Sequence, residues 1–200
     1  MQFPVLSYHR VAAVAANKFD VTREKFRQQV SWLAETGTTV ESLARLAGRI
    51  RDGEPLPARY VVLTFDDGNA SDAEVARLLE ERGFSATFSI ITDRIGTPGF
   101  LTAAEVVEIA RRHHIASHSV SHRPLTGLAP AEVRHELRAS KEALEAILGA
   151  PCDSLCVPFG ASNRRIVAEA RTAGYDTVAD SNPAFNTVED VRDGRAVRDV

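Results

Sequence analysis

The stretch Val61-Val62-Leu63-Thr64-Phe65-Asp66-Asp67-Gly68 joins an apolar run directly to two carboxylates and a glycine. A continuous run of apolar and β-branched residues is typical of a strand that is buried on both faces of a parallel sheet. Gly68 allows the backbone to turn sharply after the strand. The stretch therefore predicts a central strand with two negative charges at its carboxyl end.

Short β-type runs alternate with helical patterns on both sides of this strand. We predict helices over 22–36, 72–82, 102–112, 130–148 and 163–173, and further strands over 3–7, 86–91, 115–117 and 175–179. Residues 184–200 are rich in charge and show no strong helical pattern, and a last short strand is predicted over 196–200. Alternating elements favour an α/β fold, with a parallel sheet or barrel surrounded by helices. Functional groups of such folds lie where the strands end.

Composition limits the class of protein. The chain has 200 residues and is 44% hydrophobic, which is enough for one core, so we expect a single domain over 1–200. The 24 basic and 27 acidic residues leave a net charge of only -3, which argues against nucleic acid and against a polybasic membrane patch. No apolar run approaches the ~20 residues of a transmembrane segment. The sequence does not indicate an oligomeric state.

Two sequence features bear on the compartment. Cys152 and Cys156 are too few for a disulfide framework and lack the CxxC spacing, so reduced thiols are expected. The first residues, from Met1 to His9, have no basic region, long apolar stretch or cleavage site of a signal peptide. We therefore expect a cytoplasmic protein, although an exported protein whose leader had been removed would look the same.

Asp66 and Asp67 have two interpretations. Asp-Asp-Gly is good turn chemistry, and the aspartates could simply cap the next helix. Alternatively, two adjacent carboxylates serve one site when a cation lies between them.

His118-Ser119-Val120-Ser121-His122 follows another short predicted strand and supplies partners for the carboxylates. A loop histidine is usually only solvated, but two histidines four positions apart on a compact turn can both reach one ion. One aspartate and two histidines leave coordination positions open on a cation such as Zn²⁺, which is typical of a catalytic site. The second aspartate could then take a proton from water on that cation.

These motifs together resemble the polysaccharide deacetylases, carbohydrate esterase family four. The resemblance runs from Pro4 to about Val178, and the segments that carry it are Tyr8-His9-Arg10-Val11, Thr64-Phe65-Asp66-Asp67-Gly68, Gly83-Phe84-Ser85-Ala86-Thr87-Phe88, His118-Ser119-Val120-Ser121-His122, Pro158-Phe159-Gly160 and Gly174-Tyr175. It implies a distorted (β/α) barrel of about seven strands. It also implies metal-dependent removal of an acetyl group from an N-acetylated carbohydrate, such as an N-acetylglucosamine oligomer or polymer.

The resemblance also implies a role for each motif residue. Asp66 looks like the general base that activates water for attack on the amide carbonyl. Asp67, His118 and His122 look like the metal ligands, and the backbone N-H of Phe159 looks like an oxyanion donor. Zinc is the expected metal, with cobalt, nickel and manganese as alternatives, because an Asp-His-His set accepts several divalent ions.

The chain departs from the family pattern at two places. Cys156 stands where many members have an arginine that hydrogen-bonds the catalytic aspartate, and we expect it to be a small buried residue. No histidine follows His135, so the usual late general acid is absent. The branch that this chain resembles most, the poly-N-acetylglucosamine deacetylases, takes its acid from an N-terminal Tyr-His pair. His9 is therefore the candidate acid; the alternative is a strand-end histidine that only hydrogen-bonds a loop.

The other histidines are expected to be structural or solvated. His113 and His114 could lie behind the metal ligands, but we expect them to be exposed at a helix end, where a cation is favoured. His135 falls on a polar helical face and should be solvated.

Three functions remain open on the sequence. The first is a metal-dependent carbohydrate N-deacetylase, and the second is an esterase or deformylase that uses the same site on another acyl group. The third is a catalytically silent domain that binds glycan or metal. Trp32 and the three tyrosines do not identify a sugar-stacking surface.

Overall fold

A computed structural model describes residues 2–181, 186–193 and 195–197, with only the backbone for the last three. The strands are β1 (Gln2–Phe3), β2 (Val5–Tyr8), β3 (Val11–Ala12), β4 (Val21–Thr22), β5 (Thr39–Glu41), β6 (Tyr60–Phe65), β7 (Thr87–Ile90), β8 (His114–Ser117), β9 (Ser154–Cys156), β10 (Thr177–Asp180), β11 (Asn186–Thr187) and β12 (Arg195–Val197). The helices are α1 (Arg23–Glu35), α2 (Leu43–Asp52), α3 (Asp72–Glu80), α4 (Ala103–Ala110), α5 (Pro130–Leu148), α6 (Arg164–Thr172) and α7 (Val188–Arg192).

The main sheet is parallel throughout and runs in the order β12-β10-β9-β8-β7-β6-β2. An eighth strand, β5, pairs with the first half of β6, beside residues Tyr60 to Val62. The sheet curls into a half-barrel, and the short antiparallel pair β1 and β11 ties its two ends together. This architecture confirms the expected distorted (β/α) barrel.

β6 is the central strand, as its apolar run predicts, and all six of its residues are buried. Alternate side chains enter two different cores. Leu63 and Phe65 belong to the larger core, where Phe65 stacks on Phe88 with ring centroids 4.9 Å apart. Val62 belongs to the smaller core, which α2 and α7 complete. Both faces of β6 are thus covered, which explains the absence of apolar-polar alternation in its sequence.

Local capping signals place most helix ends correctly. Thr22 caps α1, Thr102 and Glu105 form the predicted capping box of α4, and Asn163 caps α6. α5 spans the predicted 130–148, with Pro130 in its first turn and Gly149 in a left-handed conformation, φ +65°, at its end.

Several elements were missed by the sequence analysis. It did not assign β5 or β9, which have only three residues each. It also did not assign α2, although Ser42 caps this helix and Gly53 ends it in a left-handed conformation. Residues 184–200 show no strong helical pattern in the sequence, but part of this segment forms α7. This short helix has a capping box between Thr187 and Asp190. The strand predicted over 196–200 is β12 at Arg195–Val197, and residues 198–200 lie outside the described residues.

The prediction that His113 and His114 are exposed was also wrong. α4 ends at Ala110, so both histidines lie beyond the helix. His113 is 6% exposed; its Nε2 lies 3.1 Å from the carbonyl oxygen of Ala76, and its Nδ1 accepts from the Ala86 N-H at 3.2 Å. Burial lowers the pKa of His113 below its ordinary value, which favours the neutral ring.

His114 opens β8 and contacts residues at the starts of the two neighbouring strands. Its ring nitrogens lie 3.2 Å from Thr87 Oγ1, in β7, and 3.2 Å from Asp153 Oδ1, just before β9.

His135 is exposed, as predicted. Cys152 and Cys156 are both free and buried, and this confirms the prediction that Cys156 is a small buried residue. Among the described residues, no helix has both the length and the apolar sequence needed to cross a membrane.

Replacing the most buried part of β6 should destabilise the whole domain. Leu63 has no exposed surface, so Leu63→Ala should cost about 2–5 kcal/mol in the free energy of unfolding, measured in urea. Val107→Ala on α4, where the side chain is 38% exposed, is the control and should cost less than about 1 kcal/mol. Equal losses in the two variants would contradict the central position of β6.

Candidate active site

The two aspartates lie at the carboxyl end of β6, where the backbone turns abruptly. Asp67 and Gly68 both have positive φ, +80° and +73°. A Cβ on Gly68 would lie 3.1 Å from Ile90, so a side chain at this position would crowd β7 as well as strain the turn. The Asp66 N-H donates to the carbonyl oxygen of Tyr8 at 2.9 Å, and Ser7 Oγ donates to Asp66 Oδ2 at 3.3 Å. Asp66 is thereby fixed to β2 and is only 3% exposed.

His118 follows β8 and is held in one tautomer. Its side chain is buried, and its Nδ1 lies 2.7 Å from the carbonyl oxygen of Cys156. Because a carbonyl oxygen can only accept, Nδ1 carries the hydrogen and Nε2 presents its lone pair. A hydrogen bond from the far nitrogen is the usual way in which proteins orient a metal-ligating histidine.

The loop between the two histidines is organised by Glu136 from α5. The Glu136 carboxylate is 5% exposed and accepts from the N-H groups of Val120 and Ser121, each at 2.9 Å. It also accepts from the hydroxyl of Ser121. Ser119 and His122 have positive φ, +65° and +58°, so the loop is tightly wound. Hydrogen bonds from Ser121 and the loop N-H groups lower the pKa of Glu136 against the opposing effect of burial.

Asp67, His118 and His122 converge, as predicted. Asp67 Oδ1 lies 3.7 Å from His118 Nε2 and 3.6 Å from His122 Nε2, and the three ligand atoms lie within 4.8 Å of one another. Among the described residues, the buried Asp67 Oδ1 has no hydrogen-bond partner. A carboxylate oxygen aimed at two imidazoles without a hydrogen bond fits a divalent cation, which would satisfy all three groups at once.

The electrostatic environment favours neutral imidazole at His122. Burial lowers the pKa of His122, and the charges of Asp67 and Asp66 act in the opposite direction. A neutral ring is the form that binds metal, since a protonated nitrogen has no lone pair to donate.

The remaining predicted residues surround the same opening. A cavity of about 420 Å³ lies over the cluster, and its lining consists of His9, Phe19, Asp66, Asp67, His118, His122, Phe159, Gly160 and Ser181. The structure thus brings together all six residues that the sequence analysis selected, and the roles assigned to them stay predictions. His9 comes from the loop after β2, on the same rim as Asp66.

Phe159 lies on a strained turn after β9. Its φ is +58°, and its ring packs on His122 with centroids 4.6 Å apart. The next residue must be glycine, because a Cβ on Gly160 would lie 2.2 Å from the Cβ of Ser181. Such strain persists only when its surroundings hold it, and it is common at functional sites.

Sequence reasoning missed three residues of this region. Glu136 carries no local signal, because it acts on a loop fifteen positions away. Asp72, at the start of α3, has no exposed surface, and burial together with the charges of Asp67 and Asp66 raises its pKa well above the ordinary value. Its surroundings therefore favour the uncharged form of the Asp72 carboxyl group. Phe19 lies in a polar loop whose path only the structure shows.

Removing the Glu136 carboxylate should weaken metal binding. Glu136→Ala leaves two loop N-H groups without their acceptor, at roughly 1–3 kcal/mol each, and should lower Zn²⁺ affinity about 10- to 100-fold by calorimetry. Glu136→Gln keeps one acceptor oxygen and should fall between Glu136→Ala and wild type. The control is Glu142→Ala at an exposed position of the same helix. Wild-type affinity in folded Glu136→Ala would reject this role.

Comparison with known proteins supports the resemblance found in the motifs. The sequence pattern of the polysaccharide deacetylase family matches residues 53–178, more than half of the chain. The protein YxkH of Bacillus subtilis (strain 168) is 25% identical over 184 residues, which are 91% of this chain and 65% of that protein. The poly-beta-1,6-N-acetyl-D-glucosamine N-deacetylase of Escherichia coli (strain K12) is 31% identical over 137 residues, 58% of this chain and 20% of that enzyme.

The fold has a close structural counterpart as well. The structure of the Streptococcus pyogenes deacetylase PplD in complex with acetate superposes with a TM-score of 0.89, at 21% identity, over 99% of this chain and 92% of that chain. The chain spans less than two thirds of the length of the curated relatives that it matches. With the family pattern matched over most of the sheet and through both the aspartate pair and the histidine pair, the chain belongs to the polysaccharide deacetylase family.

Proposed function

We propose that this chain is a metal-dependent hydrolase that removes the acetyl group from an N-acetylated sugar, with Asp67, His118 and His122 as ligands to zinc. The observation that carries the proposal is the position of Asp66, a buried carboxylate in the lining of the same cavity as the three donors. A domain that only bound metal would need the three donors alone. A second carboxylate at this place is what a hydrolytic site requires.

A divalent cation bound there would lower the pKa of water and polarise the acetyl carbonyl. Asp66 accepts the proton of the attacking water as the new carbon-oxygen bond forms. The backbone N-H of Phe159 donates a hydrogen bond to the carbonyl oxygen as it gains charge. His9 donates a proton to the nitrogen as the carbon-nitrogen bond breaks, so the products are acetate and the free amine of the sugar.

The family supports the substrate class, because the Escherichia coli relative is named for an N-acetylglucosamine polymer. The size and the lining of the cavity also suit a sugar ligand. Its volume of about 420 Å³ lies in the usual range for small-ligand sites, roughly 300–1,000 Å³, and its walls combine aromatic rings with a few converging polar groups.

The general base can be separated from the metal ligands by one substitution. Asp66→Asn removes the proton acceptor but none of the three donors. We expect acetate release from N-acetylglucosamine oligomers to fall at least about 100-fold, while the protein still binds one Zn²⁺ per chain. Asp176→Asn, at an exposed position before β10, is the matched control and should behave like wild type.

Two results would contradict this function. Undiminished turnover in Asp66→Asn would reject Asp66 as the base. No acetate release from wild type that holds its metal would reject the N-deacetylase. An activated acetyl ester assayed in parallel then distinguishes a hydrolase of another acyl group, which cleaves it, from a silent binding domain, which does not.

The assignment of His9 predicts a dependence on the leaving group. His9→Gln should lower kcat for the amide substrate about 10²- to 10⁴-fold, because the amine leaves only after protonation. The loss should be much smaller for an activated acetyl ester, whose leaving group departs as an anion. His135→Gln on the exposed face of α5 is the control. Equal losses on the two substrates would identify His9 as a structural residue.

A further inference from the structure

Exposed aromatic rings are concentrated at the cavity. In the described part of the chain, the exposed large hydrophobic side chains are Val14, Phe19, Trp32, Val107 and Phe159. Phe19 is 45% exposed and Phe159 is 64% exposed, and both line the cavity over the metal-ligand cluster. An exposed phenylalanine has no hydrogen-bonding group that would justify its contact with water, so two at one opening indicate a surface that binds something.

The loop that carries Phe19 is held in place by Asp20. The Asp20 carboxylate is almost completely buried and pairs with the guanidinium of Arg10. It also accepts from the Ala16 N-H at 2.8 Å and from the Asn17 side-chain amide at 3.2 Å. The Arg10 hydrogen bond is the largest cause that lowers the pKa of Asp20 to about 2. The ion pair and hydrogen bonds of Asp20 therefore hold the loop that carries Phe19 in place.

The two rings reach the cavity from segments that are far apart in sequence. Phe19 lies in the loop between β3 and β4 and packs on His9 with ring centroids 5.1 Å apart. Phe159 follows β9, which is separated from β2 by three strands, and packs on His122. The curl of the sheet brings both to one opening. The candidate acid His9 and the candidate metal ligand His122 are thus each in contact with an exposed phenyl ring.

The charge of the lining points to an uncharged ligand. None of the nine lining residues is lysine or arginine, and the two acidic ones, Asp66 and Asp67, belong to the reaction site. Lys18 is the nearest base in the loop, and its ammonium lies 4.7 Å from the Phe19 ring centroid. A uronate or a phosphorylated sugar would find no lysine or arginine in the cavity wall to pair with its charge.

We propose that Phe19 and Phe159 form a subsite that binds the apolar C-H faces of a neutral pyranose ring in an N-acetylhexosamine oligosaccharide. The sugar ring packs against both phenyl groups, and its acetamido group points to Asp66 and the metal donors. Aromatic side chains suit this ligand because they offer a large flat apolar area at low entropic cost. The subsite rests on the proposed function for the substrate, and it adds Phe19 as a specificity-determining residue.

The test measures binding apart from catalysis. The zinc-loaded Asp66→Asn protein is titrated by calorimetry with a defined N-acetylglucosamine oligomer, alone and with Phe19→Ala, Phe19→Tyr or Trp32→Ala added. Phe19→Ala should weaken binding about tenfold or more, and Phe19→Tyr should restore most of the affinity. Trp32→Ala removes an aromatic ring that is even more exposed, 61% against 45% for Phe19, but lies outside the cavity lining, and it should leave the Kd unchanged. Asp20→Ala should act in the same direction as Phe19→Ala, because it releases the loop.

Kinetics in the active protein provide the second measurement. Phe19→Ala should raise KM more than it lowers kcat, with the Zn²⁺ affinity of wild type. Equal Kd values for Phe19→Ala and Trp32→Ala would overturn the subsite even if wild type releases acetate. Oligomer binding that depends on Phe19 without any acetate release would support the subsite and reject the deacetylase. No oligomer binding by any protein in the series would overturn the subsite.

Discussion

At Asp67 the backbone enters a left-handed turn, φ +80°, directly after a strand whose six residues are all buried. The burial of β6 fixes where this turn lies, and the turn aims a carboxylate at two histidines from the loop after β8. Each histidine depends in turn on a contact from another element. His118 is oriented by the carbonyl oxygen of Cys156 in β9, and the loop that ends at His122 is wound around Glu136 of α5. The site therefore depends on the curled sheet as a whole and cannot be formed by any single segment.

The position of Cys156 shows how this chain departs from the family pattern. Its backbone carbonyl oxygen holds His118 in the tautomer that a metal ligand needs, and its side chain fills the smaller core beside Ala116 and Ala179. A long charged side chain pointing into that core would have to be paired there. Ser7 of β2 is one partner of Asp66 in this structure, so the strand that leads to His9 also contacts the candidate base.

The features that the sequence predicted are those with a local physical cause. The apolar run 61–65 is typical of a doubly buried strand, and capping residues mark the starts of α1, α4 and α6. The spacing of His118 and His122 on a compact turn allows both rings to face one point, as they do. Features that depend on tertiary contacts were out of reach. Glu136 organises a loop fifteen positions away, and Phe19 reaches a cavity whose other residues lie mostly far from it in sequence. His113 was misread because its burial depends on Ala76 and Ala86, and a helix-end pattern does not reveal those neighbours.

The pairing of β1 with β11 has a consequence for folding kinetics. This short ladder joins residues from opposite ends of the described chain, Gln2 with Thr187 and Phe3 with Asn186. Contacts so far apart in sequence carry a large loop-closure entropy, and parallel sheets form slowly for the same reason. Helices such as α5 can form early from local signals, whereas the curl that gathers Asp67, His118 and His122 requires the whole sheet. The divalent cation proposed for this site would then bind weakly to partly folded chains and stabilise only the completed sheet.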